Sequence, residues 1–535
     1  MYDSGASREN HKEKYLLATV GKRNGSGMKI AFFLDTPYGL GGAGNLLLQQ
    51  AGLMSKLHDI VVVVPCGENG GGNEEYIKRC KKKGLPYQVL YYKVSTDFYC
   101  IDYIQAMECK KSIIDFAVRE NITFFHSVQL NIAVEMAARE RKIPHVMDIY
   151  QLKEEEFALA YADIYPHYHL CDSELYAKRW SNMLGITSKC VRPVAPLDKI
   201  MEKDHSEKRC YKIVMLGAVC ERKNQLAAIK AVEKCLGQYP VSLEIAGDAE
   251  SIYGKQCRDY VERQGIGRNI HFLGFLSDIG SLLEECDCLL CASMDESFPS
   301  SIVEAVTYDL TVIATPVAGV PEIFRNEYNA FITEGYDETH IYRAIISCLK
   351  SYADGSIAFI HTNAKNTWKD FFSPETVGNE INGYYMAIIA DGKTGDGTVY
   401  DSQPLKEVNA LYKTLWLEKT LSLELGEFIG KKIWYCYFLK KKIGKGKACI
   451  WGAGKLGGLA FELVKILELE IEITAFIDMA KTGQYCGKPI RKPTDIDYGQ
   501  TDYVFISFAG SRDEVVKYLC ENGMVYHKNV FLLGC

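Results

Sequence analysis

The sequence contains no run of about 18 consecutive apolar residues, so no membrane-crossing helix is predicted. No secretory leader is predicted at its start. Residues 1–27 are polar and rich in Gly and Ser, and they are expected to form a disordered leader before a first strand at Met28. It has no large excess of charge: −6 over 535 residues argues against nucleic acid as a partner while leaving room for a local basic patch. Cys288 and Cys291 form a C-x-x-C, but no second pair follows at zinc-ligand spacing. The 19 cysteines are scattered and mostly sit in apolar runs such as "CDCLLCAS". They read as buried strand thiols in a protein of a reducing cytosol.

What is present is a repeating alternation of short apolar runs and helical periodicity. A chain of 535 residues is too long for one core. "MKIAFFLD", "DIVVVVPC", "ITFFHSV" and "IPHVMDIY" are continuous rather than alternating apolar runs, as strands of a parallel sheet covered on both faces must be. A second series opens at "YKIVMLGAV" and continues through "VSLEIAGD", "IHFLGFL", "CDCLLCAS" and "TVIATPV". A third begins at "KACIWGAG". The predicted class is α/β: two doubly wound Rossmann-like domains facing a cleft, plus a third, smaller Rossmann-like unit. The expected boundaries are 28–195, 196–375, a helix over 376–392 returning to the first domain, a linker and connector over 393–445, and 446–535. The segment 185–210, with Pro193 and Pro196, is the candidate hinge.

In open parallel sheets ligands bind beyond the carboxyl ends of strands. Three clusters lie there. "GLGGAGN", with Gly41 and Gly42, follows the first strand and opens a helix, where glycines allow close backbone approach and the helix N-terminus favours an anion. "LGAVCERKN" follows the first strand of the second series, and its Arg222 and Lys223 suit a diphosphate. "DESFPSSIVEA" places Glu296 and Glu304 on either side of a Phe-Pro-Ser-Ser turn at a strand-to-helix junction. A helix start that attracts carboxylates explains one acid there; it does not explain the basic pair and glycine loop at equivalent strand ends.

"ESFPSSIVE" resembles the E-x7-E motif of the family 4 retaining glycosyltransferases, which have the GT-B fold. In order around it, "LGAVCERKN", "VSLEIAGD", "NIHFLGFLSD", "ECDCLLCAS" and "EAVTYDLTVIATPVAGVPEIFRNEYNAFI" resemble the family's donor-domain segments. "GLGGAGN" and "HLCDSELYAKRW" resemble parts of the other domain. The resemblance covers about 28–390. It implies sugar transfer from a nucleotide-diphosphate-sugar, a UDP- or GDP-sugar, with retained anomeric configuration and no required metal or cofactor. It implies that Glu304 holds the donor ribose and that Glu296 contacts the sugar near its reacting carbon. Arg222 and Lys223 would hold the diphosphate, helped by main-chain N–H groups of Phe298, Pro299 being without one, Ser300, Ser301 and Ile302. Gly217 and Gly274 would flank the donor, and Gly41, Gly42 and His126 would lie on the acceptor and diphosphate side. Three positions depart from the family pattern: Ala218 stands where Arg is usual, and Tyr150 and Val128 where His is usual.

In the third unit Gly452, Gly454 and Gly457 form G-x-G-x-x-G after a strand, with Asp478 at the end of the next. The pattern fits NAD or another nucleotide, and equally a docking unit that keeps the glycine turn for packing. In the connector, residues 430–447 flank Trp434, Tyr435, Tyr437 and Phe438 with seven lysines, the composition of a peripheral membrane contact or of a helix packed on a domain. Together these readings describe a cytoplasmic glycosyltransferase, peripheral at the inner face of a membrane, acting on a glycan or lipid-linked acceptor in surface polysaccharide assembly. The alternative is a degenerate scaffold or sensor that binds a nucleotide-sugar.

Overall fold

The structure is a computed structural model and describes residues 27–36, 41–66, 71–92, 103–129, 131–150, 167–184, 187–205, 210–276, 278–392, 407, 410–411, 414–415, 425–426, 436–507, 512–525 and 528–533. The expected leader falls outside them apart from Gly27.

The first sheet comprises β1 (Lys29–Phe33), β2 (Asp59–Pro65), β3 (Tyr87–Leu90), β4 (Phe124–Val128), β5 (His145–Asp148), β6 (Tyr168–Cys171) and β7 (Thr187–Cys190). Its order is β3-β2-β1-β4-β5-β6-β7, every pair parallel. Between the strands run α1 (Gly42–Met54), α2 (Glu74–Lys83), α3 (Tyr103–Glu120), α4 (Ile132–Arg141) and α5 (Glu174–Leu184). β2 reads Asp-Ile-Val-Val-Val-Val-Pro and is buried from its second residue onward, because helices cover both faces.

The second sheet repeats the plan with β8 (Tyr211–Leu216), β9 (Val241–Ala246), β10 (Ile270–Gly274), β11 (Cys288–Cys291), β12 (Thr311–Ala314) and β13 (Phe331–Ile332), in the order β10-β9-β8-β11-β12-β13. Its helices are α6 (Gln225–Cys235), α7 (Ile252–Gln264), α8 (Gly280–Glu285), α9 (Ser300–Thr307), α10 (Val320–Ile323), α11 (Glu338–Asp354) and α12 (Ile357–Thr367). Cys288 and Cys291 lie three apart on β11 and enter different buried clusters, so they are core thiols on opposite faces.

α13 (Pro374–Asp391) starts at the N-cap Ser373, whose side chain accepts the Thr376 N–H. It buries Val377, Ile381, Tyr384, Tyr385 and Ile388 in the cluster that holds Ile30, Phe32 and Leu47 of the first unit. The third sheet is β16-β17-β15-β14-β18-β19, built from β14 (Gly446–Trp451), β15 (Ile471–Ile477), the antiparallel hairpin β16 (Gly483–Tyr485) and β17 (Lys488–Arg491), β18 (Tyr503–Ile506) and β19 (Val530–Leu532). α14 (Lys455–Ile466) and α15 (Arg512–Glu521) complete it.

In all three sheets the first strand of the unit lies centrally, and the chain winds outward from it in both directions. The crevice of each sheet therefore opens between β1 and β4, between β8 and β11, and between β14 and β18.

One sequence expectation needs correction, and one open alternative narrows. His126 does not line the acceptor side: it is fully buried on β4. Its Nε2–H donates to Asp148 Oδ1 at 2.7 Å, and its Nδ1 accepts the Tyr385 hydroxyl at 2.5 Å. One ring nitrogen ties α13 to β4 and the other ties β4 to β5 within the first sheet. Of the two readings of the connector, its described aromatic side chains fit the helix packed on a domain. Tyr437 and Phe438 are 5% and 2% exposed. They lie in a cluster with Phe505 and Phe531 of the third sheet and Met147 and Trp180 of the first unit, drawn inward because apolar side chains gain more from a protein core than from water. Trp434 and Tyr435 lie outside the described residues. Among the described residues, no helix is long and apolar enough to cross a membrane.

Tyr385→Phe leaves the ring in place and strips the buried His126 Nδ1 of its donor. It is expected to cost about 1–3 kcal/mol of stability, read as a lower urea midpoint at unchanged m-value.

Candidate functional site

The loops that leave β8 and β11 meet across the crevice of the second sheet. After β8 the chain turns at Gly217 (φ +113°) and forms a short 3-10 turn over Glu221–Lys223. Gln225 ties this loop to itself: Cys220 N–H donates to Gln225 Oε1 at 3.3 Å, and Gln225 Nε2 donates to Ala218 O at 3.0 Å. Two further bonds stitch it to the neighbouring loop. Met294 N–H donates to Arg222 O at 2.8 Å, and Arg222 Nη1 donates to Asp295 O at 2.9 Å. At the centre, Glu296 Oε1 lies 2.5 Å from Arg222 Nη1 and 2.6 Å from Lys223 Nζ. Ser293 Oγ donates to the same oxygen at 3.3 Å. The two residues predicted to hold a diphosphate thus share one carboxylate in this structure.

α9 begins just beyond. Its N-cap is Pro299, which offers no side-chain cap. Ile302 N–H is already bonded to Pro299 O at 3.0 Å, so the expected cradle is smaller than the sequence suggested: the Ser300 and Ser301 N–H groups are the orphan donors of the helix start. Phe298 points into the core against Phe372. Glu304, one turn into α9, is half-buried, and no hydrogen bond to its carboxylate is made among the described residues. Burial pushes its pKa up to about 7, against the opposing pull of Lys223 and of Arg79.

Arg79 belongs to α2 of the first unit and donates to Asn45 Oδ1 at 2.6 Å. Its influence on Glu304 places a cation of the first unit across the cleft from the second. In the sequence it is one base among several in "IKRCKKK", which is why it was not singled out. Gly41 and Gly42 begin α1 beside it. Gly41 N–H donates to Tyr76 OH at 3.2 Å, and Tyr76 OH donates to Asp35 Oδ1 at 2.8 Å. A Cβ on Gly41 would stand 2.6 Å from Asp35 Oδ2, so this glycine is needed for packing; Gly42 faces open space.

Gly217, Gly247 and Gly274 form a row along the carboxyl edge. Gly217 N–H donates to Ala246 O at 2.9 Å, and Gly247 N–H donates to Gly274 O at 2.8 Å. A Cβ on Gly247 would stand 1.9 Å from Gly217 O, a clash with backbone that no rotamer relieves. Sequence reasoning passed over Gly247, which stands in "IAGD" with no neighbouring glycine to draw notice.

The third unit has its own crevice, a cavity of about 410 Å³ lined by Gly452, Gly454, Asp478, Lys481 and Ser507 among others. A Cβ on Gly457 would stand 1.9 Å from Gly452 O, so this glycine brings α14 close to β14. Asp478 is occupied: Oδ2 accepts Ala453 N–H at 3.0 Å, and Oδ1 accepts the N–H groups of Ala480 and Lys481, both at 2.9 Å. Burial raises its pKa, but the N–H groups of Lys481, Ala480 and Ala453 outweigh burial and hold it below the ordinary value.

Among the described residues, His205, Asp309 and His361 bring metal-binding types together. Lys365 Nζ lies 3.1 Å from Asp309 Oδ2 and supplies positive charge there. The group sits at the start of β12, the end of the sheet opposite to Glu296.

Residues 198–365 match the family model described as "Glycosyl transferases group 1". That segment of the chain is similar to the group 1 glycosyltransferase domain. Arg222, Lys223, Glu296 and Glu304 all fall inside the matched segment. The GPI3 subunit of the phosphatidylinositol N-acetylglucosaminyltransferase of Saccharomyces cerevisiae (strain YJM789) is 26% identical over 150 residues, 28% of this chain and 32% of the relative. The N-acetyl-alpha-D-glucosaminyl L-malate synthase of Bacillus anthracis is 24% identical over 171 residues, 31% of this chain and 43% of the relative. The chain spans less than half the length of the curated relatives it matches. The crystal structure of Anabaena Alr3699/HepE in complex with UDP and glucose superimposes with a TM-score of 0.56 at 17% identity, over 67% of this chain and all of the other. That likeness places the first two units in the GT-B fold.

Two tests follow from the group 1 domain's geometry. Gly247→Ala forces β8 and β9 apart and is expected to destabilise the chain by about 2 kcal/mol or more, seen as a lowered melting temperature with loss of soluble yield. The second concerns pH. Glu304 titrates at about 7 in the folded chain against 4.5 without perturbation. Between those values the folded chain holds a proton that the unfolded chain has released. The favourable contribution is therefore complete below about pH 4.5 and lost as pH rises through 7. Glu304→Gln should shrink the fall in melting temperature between pH 5 and pH 7.5 relative to wild type.

Proposed function

We propose that the chain is a retaining, metal-independent glycosyltransferase of family 4 type, which takes a sugar from a UDP- or GDP-sugar to a glycan or lipid-linked acceptor in the assembly of a surface polysaccharide. The observation that carries this reading is the meeting of Glu296, Arg222 and Lys223 at the switch point of the matched domain, with Glu304 one helical turn away. The reaction expels a nucleoside diphosphate, and its developing charge needs preorganised donors and cations. Arg222, Lys223 and the free N–H groups of Ser300 and Ser301 converge on one edge of the sheet for that task. Glu296 is already held by the two bases, so a diphosphate would take over their charge and release the carboxylate towards the sugar hydroxyls. Glu304, ionised at or above neutral pH, would accept from the ribose hydroxyls. The row Gly217, Gly247 and Gly274 leaves the backbone open for the base. Arg79 would bring positive charge from the facing domain once donor is bound.

The expected outcome is turnover of one member of a UDP- and GDP-sugar panel by the full chain. Lys223→Ala should lower kcat by about 10²–10³-fold. Glu304→Ala should weaken nucleotide binding about tenfold or more, as loss of a charge-assisted hydrogen bond does.

A second reading is favoured by the ion-paired state of Glu296 and by Ala218, Tyr150 and Val128, which replace the expected Arg and His residues. In that reading the chain binds a nucleotide-sugar and acts as a scaffold or sensor. If wild type and Glu296→Ala both bind nucleotide and neither turns over any donor in the panel, the scaffold is correct and the transferase is not.

A further inference from the structure

The first and second units meet along a seam in which each sends a carboxylate into the other. From the residue after β6, Asp172 Oδ1 accepts the Ser297 hydroxyl of the second unit. Ser173 Oγ lies 3.2 Å from the same Ser297 Oγ. In the other direction, Glu322 of α10 accepts the N–H groups of Glu174 and Leu175, both at 2.9 Å, and so caps the first turn of α5 from across the seam. Arg192, on the segment that crosses between the units, holds both partners. Its Nη1 donates to Asp172 O at 2.7 Å and its Nη2 to Glu322 Oε2 at 2.6 Å. Its guanidinium also lies 5.5 Å from the centre of the Phe298 ring. Gly319 completes the fit: its N–H donates to Ser297 O at 3.0 Å, and a Cβ there would stand 2.7 Å from Phe298 Cδ2 and 2.9 Å from Ser173 Cβ.

Ser297 stands between Glu296 and Phe298, in the loop that delivers the donor clamp. That loop has no side-chain cap at its junction with α9, because the N-cap position is Pro299. Asp172 and Ser297 are 4% and 5% exposed, so water does not compete for their bond. An acceptor buried this deeply holds a hydroxyl in one orientation, since the alternative is an unpaired polar group in the interior. A side chain of the opposite domain therefore joins the second unit's own bonds in holding the loop. Burial pushes the Asp172 pKa up to about 7, against the Ser297 hydroxyl and the charge of Arg192, with Glu296 adding to the rise.

We propose that Asp172 is a positioning residue for the donor loop: by holding Ser297 from the first domain, it sets the placement of Glu296 and of the α9 N-terminus, and Glu322 locks the same seam from the other side. The meaning of the loop as a donor clamp rests on the glycosyltransferase reading; the positioning itself does not.

The test uses the full chain with two readouts. In hydrogen exchange without nucleotide, Asp172→Ala and Ser297→Ala should each speed exchange in the segment 293–303, while the strands of the second sheet keep their protection. Asp172→Asn keeps an acceptor oxygen for Ser297 and should restore wild-type exchange. With UDP and GDP as probes, Asp172→Ala and Ser297→Ala should each raise the Kd of the bound nucleotide about tenfold, and the double variant should be no worse than either alone. Unchanged exchange over 293–303 in both single variants, or nucleotide losses that simply add, would overturn the proposal. If wild type binds neither nucleotide, the glycosyltransferase reading fails and the exchange comparison alone decides the seam. Should Asp172→Ala melt well below wild type, Ser297→Ala, which leaves the buried carboxyl in place, provides the deciding comparison.

Discussion

The site depends on one shared carboxylate. Arg222 and Lys223 are adjacent cations on a loop that the β8 strand end throws outward, and without a counter-charge they would repel each other and the loop would spread. Glu296 lies within ion-pair distance of both, so the loops after β8 and β11 are pinned together across the switch point. Removing one member of such a partly buried set leaves uncompensated charge, which is costlier than the pairing is favourable. An anionic ligand entering here exchanges one anion for another. On the glycosyltransferase reading the cations would then never pass through a bare, desolvated state.

Much of the fold was readable because the sheets are parallel. Strands buried on both faces carry unbroken apolar runs, and "DIVVVVP" or "CDCLLC" admits few other interpretations. The strand ends then located the candidate site, since chemistry-bearing residues at the carboxyl edge of a doubly wound sheet are exposed to the crevice by topology alone. Arg222, Lys223, Glu296 and Glu304 were found that way, and the structure brings the first three into contact. His126 was misread because its neighbours do not show what its ring meets: Tyr385 lies 259 residues further along the chain. The aromatic connector stayed open between two readings because lysines flanking aromatics describe a membrane-facing helix and a core-facing helix equally well. Only the presence of Phe505 and Phe531 opposite Tyr437 and Phe438 separates the two.

The residues that were invisible are those whose role exists only in pairs. Asp172 and Ser297 are 125 positions apart, and Arg192 and Glu322 are 130 apart. In the linear chain each is an ordinary polar residue near a strand or helix end. Gly319 and Gly247 are invisible for a related reason. What forbids a side chain there is a neighbouring segment, Ser173 and Phe298 in one case and the Gly217 carbonyl in the other, rather than any local turn. Local patterns announce backbone conformation and burial; they are silent about which distant surface will press against a given atom.

One buried cluster runs from Met136, Met147 and Trp180 of the first unit through Leu415, Leu425 and Leu439 into Ile450, Phe476 and Phe531 of the third. The second unit keeps clusters of its own. Cooperativity follows continuity of the core rather than order along the chain. The first and third units thus share one core face, while the first sheet keeps further clusters of its own. Loosening the third unit would therefore bare the Met147 and Trp180 face of the first sheet as well.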